Sequence, residues 1–167
     1  MLSRRQARRF ALQVLFSNEF LHEDVLSVAR RVALTVEFEM NDFCRDLITR
    51  TSDNKDELDK LILANLKDKD IERVALLDKV LIRLATCELL FFPDIPAEVT
   101  INEALELSKE FISNRSSRFI NGIIDAIYKE LKSNDQLKKS LLARLSVKNM
   151  AGKNNSRNSK NSDKPKI

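Results

Sequence analysis

The first 92 residues contain neither glycine nor proline, and the whole chain of 167 has two Gly and three Pro. Sheet proteins use both residues at their tight turns, so this punctuation excludes them. Helix formers dominate, and no alternation of apolar and polar residues persists beyond a few positions. The expected class is all-α. A hydrophobic fraction of 43% is enough for a packed core. The length fits one domain over residues 1–145 with a tail over 146–167. No apolar run approaches the roughly 18 residues needed to span a bilayer. The N-terminus has charge without the apolar stretch of a secretory signal. Its arginine-rich, acid-poor start looks superficially like an organelle transit peptide, but the same residues form the first helix of the pattern.

That first helix carries the most specific signal. Arg4, Arg5, Arg8 and Arg9 precede the first acidic residue, Glu19. At 100° per residue they fall at roughly 40°, 140°, 80° and 180° around a helix, with Ala7, Phe10, Ala11 and Val14 opposite. The expectation is an apolar seam inward and a ridge of four cations outward. Guanidinium groups match phosphate oxygens through a planar fork of donors. Such a ridge suits nucleic acid, and the competing reading is a merely solvated face. Residues 1–13 hold four Arg and no acid. Residues 146–167 hold six basic residues against Asp163. With a net charge of +4 overall, the stretch between them is acidic. Positive charge concentrated at two ends argues for a polyanionic partner better than an even spread would.

Cys44 and Cys87 lie in apolar helical surroundings and read as buried, reduced thiols in a cytoplasmic protein. With no His or Cys nearby in sequence they make no metal template. His22, the one histidine, falls in a loop after the first helix and reads as a surface residue. No paired carboxylates and no nucleophile–base set share a loop, so no catalytic residue, metal or cofactor is expected.

Periodicity then predicts about seven to eight helices. Ser3 with Gln6 forms a capping box that opens the first, which runs to about Phe20. Others span about 24–36, with Val36 inward, and 41–51. Asp53 should cap one at 54–66. The helix at about 70–90 is apolar almost all round and should be the buried spine. Phe92-Pro93-Asp94-Ile95-Pro96 breaks it. Thr100 with Glu103 reads as a second capping box, for a helix over about 101–112. After a loop at 114–117, a helix at about 118–132 carries Gly122, which suggests a close helix–helix approach. Asn102 and Asn121 read as interior hydrogen-bond anchors. A last helix spans about 135–145. The basic tail 146–167 has too little apolar surface to fold and is expected to be disordered.

Several motifs in order resemble one family. Arg5-Gln6-Ala7-Arg8-Arg9-Phe10-Ala11-Leu12-Gln13-Val14-Leu15-Phe16 resembles the arginine-rich first helix of the NusB family. Residues 77–90, LDKVLIRLATCELL, resemble its central helix, and residues 94–109, DIPAEVTINEALELSK, its most recognisable motif. Ser117-Arg118-Phe119-Ile120-Asn121-Gly122-Ile123-Ile124-Asp125 resembles its phenylalanine–asparagine–glycine helix. The resemblance covers roughly residues 4–131.

The resemblance implies two small helical bundles around the central helix and a transcription antitermination factor. Such a factor binds single-stranded boxA-type RNA together with the ribosomal protein NusE. It joins elongating RNA polymerase with other Nus factors, in support of ribosomal RNA transcription. Carried over by position, Arg4, Arg5, Arg8, Arg9, Gln13, Phe16, Arg118 and Phe119 are RNA-binding, and Asp78 is partner-binding. Phe16 stands where Tyr is usual, which keeps stacking and loses a hydroxyl. Arg118 and Phe119 are also expected at a helix N-terminus, where free N–H groups favour phosphate. Arg115 stands where some relatives carry an acid, and Lys69 where an aromatic is frequent. The resemblance also allows a homodimer that hides the arginine helix. A related domain occurs fused to RNA methyltransferases, but this chain lacks a glycine-rich cofactor loop. The alternative function is a protein-interaction or dimerisation module without specific RNA binding. The RNA reading demands that the cationic side be open to solvent and not cancelled by carboxylates. Arg8→Glu is expected to weaken RNA binding without loosening the fold.

Overall fold

The computed structural model describes residues 2–145; the tail expected at 146–167 lies outside the described residues. Regular structure among the described residues is entirely helical. The helices are α1 (Arg4–Leu21), α2 (Val25–Thr35), α3 (Asp42–Asp53), α4 (Lys55–Ala64), α5 (Leu76–Phe91), α6 (Ala97–Phe111) and α7 (Asn114–Ser133). A 3-10 turn, Ile71–Arg73, precedes α5. Residues up to Glu130 form one compact unit, and Leu131 begins a second. The second holds the helical residues 135–145, opened by the Asn134 side chain, which accepts from the Leu137 N–H.

In the first unit α1, α2 and α3 pack against one another, while α5 packs against α1, α3, α4 and α6. Capping explains the starts. Ser3 and Gln6 form the expected box. Asp24 accepts from Ser27 N–H and Asn41 from Cys44 N–H. With no glycine available, the chain leaves α1 and α2, and bends between α4 and the 3-10 turn, through ordinary residues in the left-handed region. His22, Glu37 and Lys69 have φ of 52°, 52° and 56°. Each accepts a local strain that Gly would avoid.

Twelve of the sixteen residues of α5 are buried, including Asp78, Lys79, Arg83, Thr86 and Glu88. It is the expected spine, but it starts later than periodicity suggested. Asp70 caps the 3-10 turn instead, accepting from Glu72 N–H, and Val74 and Ala75 are extended. Asp53 ends α3 and does not cap α4. Val36 is exposed beyond the end of α2.

The box expected at Thr100 is absent. The α6 helix starts at Ala97, and the Thr100 hydroxyl donates inward to Glu88. A buried carboxylate needs that donor more than an exposed helix end does. Residues 114–117 are the first turn of α7, not a loop. Gly122 is exposed, and a Cβ there would meet no atom within 4 Å, so no close approach explains it. Asn102 and Asn121 are likewise exposed, on the solvent faces of α6 and α7, and are not interior anchors.

Candidate nucleic-acid interface

The arginine helix presents only part of its charge. Its buried residues are Ala7, Arg8, Phe10, Ala11, Leu12, Val14 and Leu15. They cover roughly 280° through 0° to 120° of the wheel, because three helices pack on α1. Arg8, at roughly 80°, falls inside that arc. Its side chain is 5% exposed and grips Glu88, itself 2% exposed. Nε donates to Oε2 at 2.9 Å and Nη2 to Oε1 at 2.6 Å. Thr100 completes the carboxylate at 2.8 Å. The expected outward ridge of four is therefore corrected: Arg8 is enclosed and unavailable to a phosphate. Arg8→Glu would place two carboxylates together in the core, so the expectation that it spares the fold is corrected as well.

Arg4, Arg5 and Arg9 stay at the surface, with side chains 52%, 68% and 52% exposed. Each holds a carboxylate from outside α1. Arg4 meets Asp94 at 3.0 Å, Arg5 meets Glu103 through two bonds of 3.0 and 2.8 Å, and Arg9 meets Glu110. The hydrogen bond from Arg5 holds the Glu103 carboxyl below its usual range, and Glu103 in turn raises Arg5. Aromatic rings lie beneath the cations. Arg4 and Arg8 lie 5.2 and 5.5 Å from the Phe43 centroid, and Arg9 lies 5.4 Å from that of Phe111. The demand for an open, uncancelled cationic side is thus met only in part: three guanidiniums are accessible, and all three are paired.

Gln13 is exposed and Phe16 half-buried on the same side. Phe20, one turn further, is 65% exposed and meets Phe16 edge to face at 5.3 Å. Arg5, Arg9, Gln13, Phe16 and Phe20 make one stripe at i, i+4, i+8, i+11 and i+15, cationic at one end and aromatic at the other. The sequence reading missed Phe20, although the same wheel places it at roughly 200°, between Arg9 and Gln13.

The remaining candidates sit at the start of α7. Arg118 is exposed and Phe119 partly so. Both lie beyond the first four residues of the helix, so the free N–H groups expected beside them belong to earlier positions. Phe119, Arg115 and Ser116 line a cleft of ≈ 350 Å³ with Asp78 in its wall. Asp78 is buried, accepts from Ser116 Oγ at 3.3 Å, and leaves Oδ1 without a partner. Burial pushes its carboxyl above the usual range. A partner of Asp78 would have to reach it through this cleft. Lys69 turns its ammonium back onto the Ala64 carbonyl at the end of α4.

Cys44 and Cys87 are free, buried thiols, both pushed up to about 12 by burial. His22 is exposed and ends α1. Among the described residues no helix is long and apolar enough to cross a membrane, and no cluster of ligating side chains fits a metal.

Comparison with known proteins gives a consistent picture. The model of the NusB family matches residues 5–129. The transcription antitermination protein NusB of Bacillus mycoides (strain KBAB4) is 39% identical over 126 residues, covering 75% of this chain and 97% of that protein. A structure of T. maritima NusB superposes with a TM-score of 0.71 at 36% identity, covering 77% of this chain and 92% of that one. A structure of antitermination factors NusB and NusE in complex with double-stranded RNA superposes with a TM-score of 0.69, covering 75% and 96%. At 23% identity that last likeness concerns the fold.

Proposed function

The chain belongs to the NusB family, and we propose that it acts as a cytoplasmic transcription antitermination factor. In this reading it is an RNA-binding adaptor without catalytic activity or cofactor. It binds single-stranded boxA-type RNA together with NusE and joins the elongating RNA polymerase through other Nus factors. The observation that carries the reading is the family match over residues 5–129, spanning both the arginine helix and α7. The complex of NusB and NusE with RNA supports the partner class.

The proposed contacts are Arg4, Arg5, Arg9, Gln13, Phe16 and Phe20 on α1, with Arg118 and Phe119 on α7. The cations take phosphates and the rings take bases, since every base offers a π face. Arg8 is left out because it is enclosed, and Asp78 stays as the partner-binding candidate in its cleft. The domain that does this is assigned to residues 1–145.

A second reading is a protein-interaction or dimerisation module without specific RNA binding. One observation favours it: each of the four arginines already holds a carboxylate. A salt titration of boxA-like RNA, with and without NusE, separates the two. Phosphates neutralised by the four cations Arg4, Arg5, Arg9 and Arg118 give a slope of log affinity on log salt of about −3. Arg5→Gln with Arg9→Gln, which leaves Arg4 and Arg118, should flatten it toward about −1.4. A flat titration that this pair of changes leaves untouched would overturn the RNA reading.

A further inference from the structure

The three accessible arginines of α1 are each paired with a carboxylate from the chain that follows α5. Their partners come from two places that converge on one edge: Asp94 in the bend after α5, and Glu103 and Glu110 seven residues apart on α6. Seven residues are two helical turns, so the two glutamates stand in one row. Arg5 and Arg9 are one turn apart in a parallel row. Glu106, between the two glutamates, extends the acidic row and is held by Lys109. An open cleft of ≈ 340 Å³ runs between the rows, lined by Arg5, Glu103, Glu106 and Glu110. Both pairs are solvent-exposed on the arginine side, so water and salt can separate them.

From this matching of rows we infer that Glu103 and Glu110 are specificity-determining residues, internal stand-ins for phosphate with which an RNA strand competes. The inference rests on the proposed RNA function and adds a mechanism of selection to it. A bare polyanion offers α1 only phosphates, and these merely replace carboxylates already in place. Exchanging one anion for another releases little free energy. A strand that also stacks on Phe16 and Phe20 and hydrogen-bonds Gln13 makes contacts the carboxylates cannot make. Displacement then favours the strand with those extra contacts. The acidic row lowers affinity for every RNA but lowers it proportionately more for RNAs that bind by charge alone, because a strand anchored at its aromatic end can leave one pair intact. Specificity is obtained from a penalty on the wrong partner.

The test is the full-length chain carrying Glu103→Gln and Glu110→Gln, which keep shape and hydrogen-bonding capacity. A control with Asp56→Asn and Glu57→Gln, both on α4, makes the same change in net charge elsewhere. Binding of a boxA-like RNA and of an abasic oligoribonucleotide of equal length, which has the phosphates but no bases to stack, is measured by fluorescence anisotropy. The row variant should bind the abasic strand about tenfold more tightly and the boxA-like RNA about threefold more tightly. The control should shift both by less than about twofold. Equal gains for the two RNAs, no gain, or a loss would overturn the inference. Arg5→Gln with Arg9→Gln, measured alongside, keeps the two ideas apart. If that pair weakens binding while the glutamate variant changes nothing, the selection mechanism fails and the RNA surface stands. If neither pair affects either RNA, the surface itself is wrong.

Discussion

The inner and outer sides of α1 use the same chemistry to different ends. Inside, Arg8 meets a glutamate in a forked pair closed off from water, with Thr100 filling the last position. Outside, Arg9 meets a glutamate of α6 at the surface. The residues are neighbours and their partners are of one type. Burial alone separates a group the fold depends on from one it can release. An arginine count along a helix therefore overstates what a ligand can reach.

The largest effect expected from this contrast is on stability. Arg8→Ala leaves the Glu88 charge enclosed and unpaired and should cost about 3–5 kcal/mol. Arg9→Ala should cost less than about 1 kcal/mol. Urea denaturation of the two variants measures both, and equal losses would erase the distinction. Replacing both Arg8 and Glu88 by Met should recover much of the loss, because the partnerless charge goes with its partner.

A smaller effect extends the contrast to α7, where Ile120 and Ile124 are buried and Gly122 faces open space. Nothing in the described structure needs a glycine there, so Gly122→Ala should raise stability by about 0.5–1 kcal/mol in the same assay. A loss would mean that the exposed face of α7 is covered by something.

The smallest effect concerns pH. Glu103 titrates below its ordinary value in the folded state, chiefly through its bond from Arg5. A carboxyl lowered in this way adds stability that is complete above its unfolded pKa and disappears as pH falls through the depressed folded value. The native chain should therefore lose slightly more stability than Glu103→Gln on acidification below the ordinary value of 4.5. Thermal melts from pH 6 downward, on the order of half a unit apart, follow the difference. Parallel curves would show that the outer pair contributes nothing to the fold.

Much of the fold was legible because apolar spacing and caps are local. Ser3 caps where its side chain suggested, α2 and α3 start one residue after the expected bounds at 24 and 41, and the all-round burial of the apolar positions of α5 follows from its composition. What escaped was set by distant partners. The width of the buried arc on α1 depends on how many helices pack there, which no wheel contains, and so Arg8 was placed outside. Thr100 was read as a cap because Glu88, twelve positions earlier, was not known to need its hydroxyl. The carboxylates opposite Arg4, Arg5 and Arg9 lie about ninety or more residues away in sequence, beyond any local pattern. Phe20 is within reach of the wheel but lies outside the family motif at residues 5–16.

One feature of α5 reaches into how this chain can change over generations. Arg83 binds Asp59 of α4 and Glu19 of α1, and five positions on Glu88 receives Arg8. Deleting a single residue between these two anchors would swing one past the other by roughly 100° and shorten their spacing by about 1.5 Å. Both ionic grips could not then close together. Around this helix, drift in chain length is thereby pushed to the joints on either side, at residues 65–75 and 92–96, while its sixteen positions must change by exchange of side chains.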